Sequence, residues 1–189
     1  MIKKKFLVIA ALLSALCAQA EASTLSADGA WNAFDVDSSV SNSGNLEWID
    51  LDNNALSFDF TLSESAYLKV VDGGFAGDRF NVFDNGVLLD QTSVASNTFP
   101  ASIGLDFDAA YASPLYSRGL FLLGAGSHSI TGLLSQSALN GTTSINATVG
   151  AVSLTAVPLP AAVWLYLTGT ALMGFVSRRG KTNLLEQAA

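Results

Sequence analysis

The chain has 189 residues, half of them hydrophobic and only 13% charged, with a formal net charge of −7. That length suits one domain, and the apolar share is too high for a disordered chain. A single histidine and a single cysteine exclude a thiolate or histidine-rich metal centre and any disulfide framework.

The first element in chain order is a secretory signal over residues 1–20. Lys3, Lys4 and Lys5 form its charged start and Phe6 to Leu16 its apolar run. Ala18 and Ala20 then place small residues at the two positions a signal peptidase inspects. Cleavage after Ala20 removes Cys17, so the mature chain has no thiol.

Beyond the signal the dominant period is two, the signature of strands with one buried face. An early strand is expected around Trp31 to Val36, followed by a Ser/Asn/Gly-rich loop from Ser38 to Asn45. Leu56 to Leu62 alternates without a break and directs Phe58 and Phe60 into a core. Ala66 to Val71 is the next strand. Arg79 to Asp84 and Val87 to Asp90 flank Asn85-Gly86, a pair suited to the positive-φ type I′ hairpin turn. Leu105 to Ala112 has helical composition, stops before Pro114, and is expected as a short helix covering one end of the fold. Gly119 to Leu123 and Ser127 to Leu134 read as a hairpin about Gly124-Ala125-Gly126. Ser144 to Val149 and Ala151 to Val157 read as alternating strands, with Gly150 as a bulge. About eight short strands separated by turns predict an all-β fold, an antiparallel β-sandwich or jelly-roll-like domain over residues 21–156.

From Val157 to Ser177 no residue is charged, and Ala161 to Val176 is strongly apolar. That stretch is about 30 Å long as a helix at ~1.5 Å per residue, enough for one transmembrane span. Arg178, Arg179 and Lys181 follow it and hold that end on the cytoplasmic side. Signal and span agree that the middle is exported, leaving residues 182–189 as a short cytoplasmic tail.

The order of three elements carries a family resemblance. Val157-Pro158-Leu159-Pro160, an apolar helix with Trp164, Gly169 and Gly174, and the Arg178-Arg179 cluster resemble the PEP-CTERM sorting signal, here over 157–181. Leu159 stands where the name-giving motif has glutamate. The resemblance implies recognition by an exosortase-type membrane protease while the chain is anchored in the inner membrane. Transfer to the cell surface or extracellular matrix would follow, in association with exopolysaccharide and biofilm. Val71 to Phe75, Gly77 to Phe80, Val82 to Gly86, Gly119 to Phe121 and Gly126 to Ile130 are similar to a recurrent body domain of PEP-CTERM proteins, which implies an exported β-sandwich with no known catalytic residues.

Charge narrows the partners of the middle. Residues 21–157 hold fifteen acids against Lys69, Arg79 and Arg118, a net charge of −12. Such a surface repels nucleic acid and attracts cations or basic partners. His128 is the sole base for a serine nucleophile. Ser127 and Ser129 flank it on a predicted strand, which separates nucleophile from base and argues against a triad. The reading is therefore non-catalytic, with no cofactor required. Calcium is a candidate ion for the oxygen-rich stretches Asp35-Val36-Asp37, Asp50 to Asn54, and Asp72-Gly73-Gly74 with Asp78, none of which has EF-hand spacing. The alternative function is a carbohydrate-binding module, possible through calcium and through stacking on Trp31, Trp48, Tyr67, Tyr111 or Tyr116.

Overall fold

The computed structural model describes residues 21–157 and, beyond them, Leu165, Tyr166, Thr168, Thr170 and Met173, which are helical and exposed where burial is given. The chain divides into two compact units, Met1–Ala156 and Val157–Ala189. The predicted signal with Ala18 and Ala20 lies outside the described residues. So do Pro158, Leu159, Pro160, Arg178, Arg179, Lys181 and the tail. Among the described residues no helix is long and apolar enough to cross a membrane.

Alternation becomes strand along residues 21–156. The elements are β1 (Glu21–Thr24), β2 (Asp28–Asp37), β3 (Leu56–Leu62), β4 (Ala66–Asp72), β5 (Gly74–Phe75), β6 (Arg79–Asp84), β7 (Val87–Gln91) and β8 (Ser102–Gly104). Helix α1 (Phe107–Ala112) follows, then β9 (Arg118–Leu123), β10 (Gly126–Gln136), β11 (Leu139–Asn140), β12 (Thr143–Ser144) and β13 (Ala147–Ala156). One sheet runs β1-β3-β10-β6-β7 and the other β2-β13-β4-β9, with small ladders β5-β8 and β11-β12. The fold is all-β and the pairing antiparallel, except that β1 lies parallel to β3.

The two larger sheets share one core. Phe34, Leu68, Val70, Val152 and Leu154 from one meet Phe58, Phe80, Val82, Ile130 and Leu134 from the other. Trp48, from the connection between β2 and β3, fills the centre at 0% exposure, stacked on Phe34 with ring centroids 4.0 Å apart. Its ring lies flat against β10 at Gly132, where a Cβ would come within 2.1 Å of it. Only glycine permits that approach.

Four expectations are corrected. Among the described residues thirteen strands form rather than about eight, because β1, β5, β8, β11 and β12 are too short to show a period. Strands β9 and β10 are not a hairpin. β9 pairs β4 while β10 pairs β3 and β6, so Gly124-Ala125 carries the chain from one sheet to the other. Gly150 is not a bulge: it stays in register with Phe34 and Asp72, and the shift against β2 falls between Ser153 and Thr155. Gly150 is required because a Cβ there would lie 2.3 Å from the Phe34 ring. Helix α1 covers part of the outer face of the four-stranded sheet, not an end of the fold. Phe107 and Ala110 pack on Val71 and Ala151 there. Asp106 caps it by accepting from Ala109 N, and Ser113 closes it before Pro114.

Candidate functional site

Two of the three acidic stretches converge. A two-way backbone bridge joins Asp35 and Ile49, at 3.1 and 2.8 Å. This sets Asp35, Asp50 and Asp52 around an open cleft of about 480 Å³ that reaches down to Phe34 and Phe58. Burial, and secondarily Asp37, raises the Asp35 pKa. Asp50 and Asp37 are occupied locally. Asp50 Oδ1 accepts from Asp52 N at 2.8 Å and Asn54 N at 2.9 Å, and Asp37 Oδ1 accepts from Ser39 N at 2.8 Å. These carboxylates build their own turns, the usual work of aspartate in such places.

The third stretch is buried. Asp72 and Asp78 are 0% and 1% exposed. Asp72 Oδ2 accepts from Gly77 N and Asp78 N, both at 3.3 Å, and the Thr148 hydroxyl donates to its Oδ1 at 3.5 Å. Asp78 Oδ1 accepts from Ala138 N at 2.8 Å, tying the corner to the end of β10. Burial, then the charge of Asp78, pushes Asp72 up to about 9. Burial raises Asp78 to about 6. At neutral pH Asp72 is a neutral acid. Among the described residues no group of three or more His, Cys, Asp or Glu side chains is arranged to hold a metal ion.

His128 faces inward beside its register partner Phe60, on which it stacks at 5.4 Å. Its Nδ1 lies 2.8 Å from Asp84 Oδ2 and its Nε2 3.0 Å from Gly124 O. Both ring nitrogens are thus engaged. Ser127 and Ser129 point to the opposite face by alternation, and Ser127 Oγ pairs with Thr61 Oγ1 at 3.2 Å. The geometry joins His128 to neither serine.

Of the five candidate stacking aromatics, Trp48 is core and Tyr116 is buried, its hydroxyl donating to Gly74 O and accepting from Ile103 N. The other three share the outer face of the four-stranded sheet. Register aligns Trp31, Ser153, Lys69 and Leu120 in one row, and Thr155, Tyr67 and Leu122 in the next. Tyr111 of α1 overhangs the first row, its ring 5.7 Å from Trp31. Trp31 Nε1 donates to Asp108 Oδ1 at 2.8 Å, which fixes the indole against the helix. Lys69 Nζ lies 5.4 Å and the Arg118 guanidinium 6.0 Å from the centre of the Tyr111 ring. Arg118 also donates to Tyr111 O and Ser113 O. Lys69 makes no salt bridge among the described residues. Two of the domain's three bases therefore flank one tyrosine.

Sequence reasoning found the aromatics and missed the cations beside them. Alternation does place Tyr67 and Lys69 on one face, but nothing in the sequence brings α1 across to them. No family model matches the chain, and neither does any curated protein or solved structure.

Proposed function

We propose that this chain is a non-catalytic surface or matrix protein, exported by its signal and sorted by an exosortase-type protease. The exported part is an acidic β-sandwich of jelly-roll character. The observation that carries the reading is the tail. The Pro motif, the apolar segment and the basic cluster begin at Val157, one residue past the end of the last strand and at the boundary of the second compact unit. A cut in that region releases the β domain whole. Before the cut the apolar segment holds the chain in the inner membrane, with Arg178, Arg179 and Lys181 on the cytoplasmic side. Intact-mass measurement of the surface form, in cells with and without exosortase, tests this. The expected mass lacks everything beyond the Pro motif only when exosortase is present. A surface form that still carries Lys181 overturns the proposal.

A second reading is favoured by the outer sheet face: a carbohydrate-binding module. Trp31, Tyr67 and Tyr111 supply apolar surface for sugar rings, and Lys69 supplies a donor without an acid partner among the described residues. A glycan array with and without calcium separates the readings. A scaffold shows no saturable binding, while a module shows binding lost on Tyr67→Ala.

A further inference from the structure

The edges of the two larger sheets are not treated alike. Strand β2 carries Asp28, Asp35 and Asp37, breaks register with β13, and is bridged at Asp35 by Ile49. Strand β7 carries Asp90 and breaks register with β6. Strand β1 has four residues. Charges, bulges and shortness are the devices that keep sheet edges from pairing with other chains. Strand β9 has none of them beyond its first residue. It runs against β4 without a register shift and has no charge after Arg118 and no proline.

Its first residue is already covered. Ser93 N donates to Arg118 O at 2.9 Å, and Arg118 N donates to Ser93 Oγ at 3.1 Å. Those bonds show that the main-chain groups of Arg118 point away from β4. By the alternation of an antiparallel ladder, the groups of Leu120 and Leu122 do the same. There the cover ends, and Leu120 and Leu122 are 56% and 62% exposed.

We infer that β9 is a homotypic edge, on which a second copy of this chain pairs antiparallel about Phe121 and extends the four-stranded sheet across a two-fold axis. Three observations select a second copy as the occupant. The strand is self-complementary: pairing about Phe121 sets Leu120 opposite Leu122 of the other copy, both on the outer face, and Gly119 opposite Leu123. The main-chain groups that meet are those that β4 leaves free. Charge agrees as well, because no acid lies between Asp108 and Glu186. On a domain of net charge −12, β9 and β10 form an acid-free stretch where two copies meet without opposing carboxylates. An isologous contact of this kind closes as a dimer.

The test uses the full chain in dodecyl maltoside, by sedimentation with the detergent mass subtracted, at up to about 100 μM, a concentration that saturates a micromolar dimer. The expected result is a dimer whose dissociation constant rises at least about tenfold in Leu120→Lys and Leu122→Lys, since each loses a buried leucine and sets like charges close together. Val87→Lys, on the β7 edge, leaves it unchanged. Unaltered thermal melts of the lysine variants show that they fold. In a Cys17→Ser background, mixed Leu120→Cys and Leu122→Cys chains cross-link faster than either variant alone. A monomer at the highest concentration overturns the inference. So does a dimer indifferent to both lysines, which is one made elsewhere in the chain. Equal cross-linking in all three samples overturns the register.

Discussion

The Asp50–Asn54 turn and the Asp72–Asp78 corner are written in similar residues, an aspartate, turn formers and further polar groups, yet they meet opposite fates. Asp50 sits at the rim of a cleft, bonded to its own turn, and Leu51 beside it is 94% exposed. Asp72 closes the last position of a central strand, opposite Gly150 of β13 and beside Thr148, and is fully buried. At the rim, charge is solvated and the carboxylate shapes a loop. In the corner, the same group is neutral near pH 7 and spends one oxygen on two main-chain donors and the other on the Thr148 hydroxyl. Aspartate therefore serves two structural roles here, and its address in the sheet decides which.

The core beneath both regions sets the scale for breaking that comparison. Phe58 is 1% exposed and also floors the acidic cleft. Phe58→Ala should cost about 3–5 kcal/mol in urea melts. Phe60 should cost less, because it is only partly buried and packs at the end of the core against His128. Equal losses would put the two phenylalanines in equivalent sites, against the burial seen.

The pH profile comes next. Asp72 and Asp78 have folded pKa values raised above the ordinary carboxylate value. Their contribution to stability is complete below about pH 4 and is lost as pH rises, through about 6 for Asp78 and about 9 for Asp72. Melting temperature should fall between pH 6 and 9. Asp72→Asn, which keeps an acceptor for Gly77 N and has no proton to lose, should flatten that slope. A wild-type profile that is level or rising over the interval would show that the corner is charged.

At the rim the effects shrink. Asp50→Ala removes the acceptor for two main-chain donors and should cost about 1 kcal/mol. Asp52→Ala, at an exposed position, should stay within about 0.5 kcal/mol of wild type. A large loss from Asp52→Ala would mean that the rim is cross-braced rather than locally built.

Much of the strand content was legible because a sheet with one buried face imposes period two. Leu56–Leu62 and Arg79–Asp84 fall on their predicted bounds, and Asn85-Gly86 turns with φ of 50° and 77° at its two residues. The Leu105–Ala112 segment holds a helix because Asp106 caps it and Pro114 follows it, both local signals. Which strands share a sheet was not legible. Gly124-Ala125-Gly126 has the composition of a hairpin turn, and the same residues serve a chain changing sheets. The aromatics divided for a similar reason. Trp31 and Trp48 each stand between one apolar and one polar residue, Ala30 and Asn32 or Glu47 and Ile49, and only the pairing of Trp48 with Leu56 and Gly132 turns its ring inward.

What the sequence determined by itself is local and additive: the strand period, the turn and cap residues, and the acidic balance of the middle. Each depends on a few neighbours along the chain. Tertiary structure alone decided which acids lose water, which aromatics stay at the surface, and why Gly132 and Gly150 must lack a side chain. Those outcomes depend on residues far apart in sequence, such as Asp78 against Ala138, Asp72 against Thr148, or Lys69 against Tyr111. Desolvation and close contact act only once the sheets have stacked, so no window along the chain contains them.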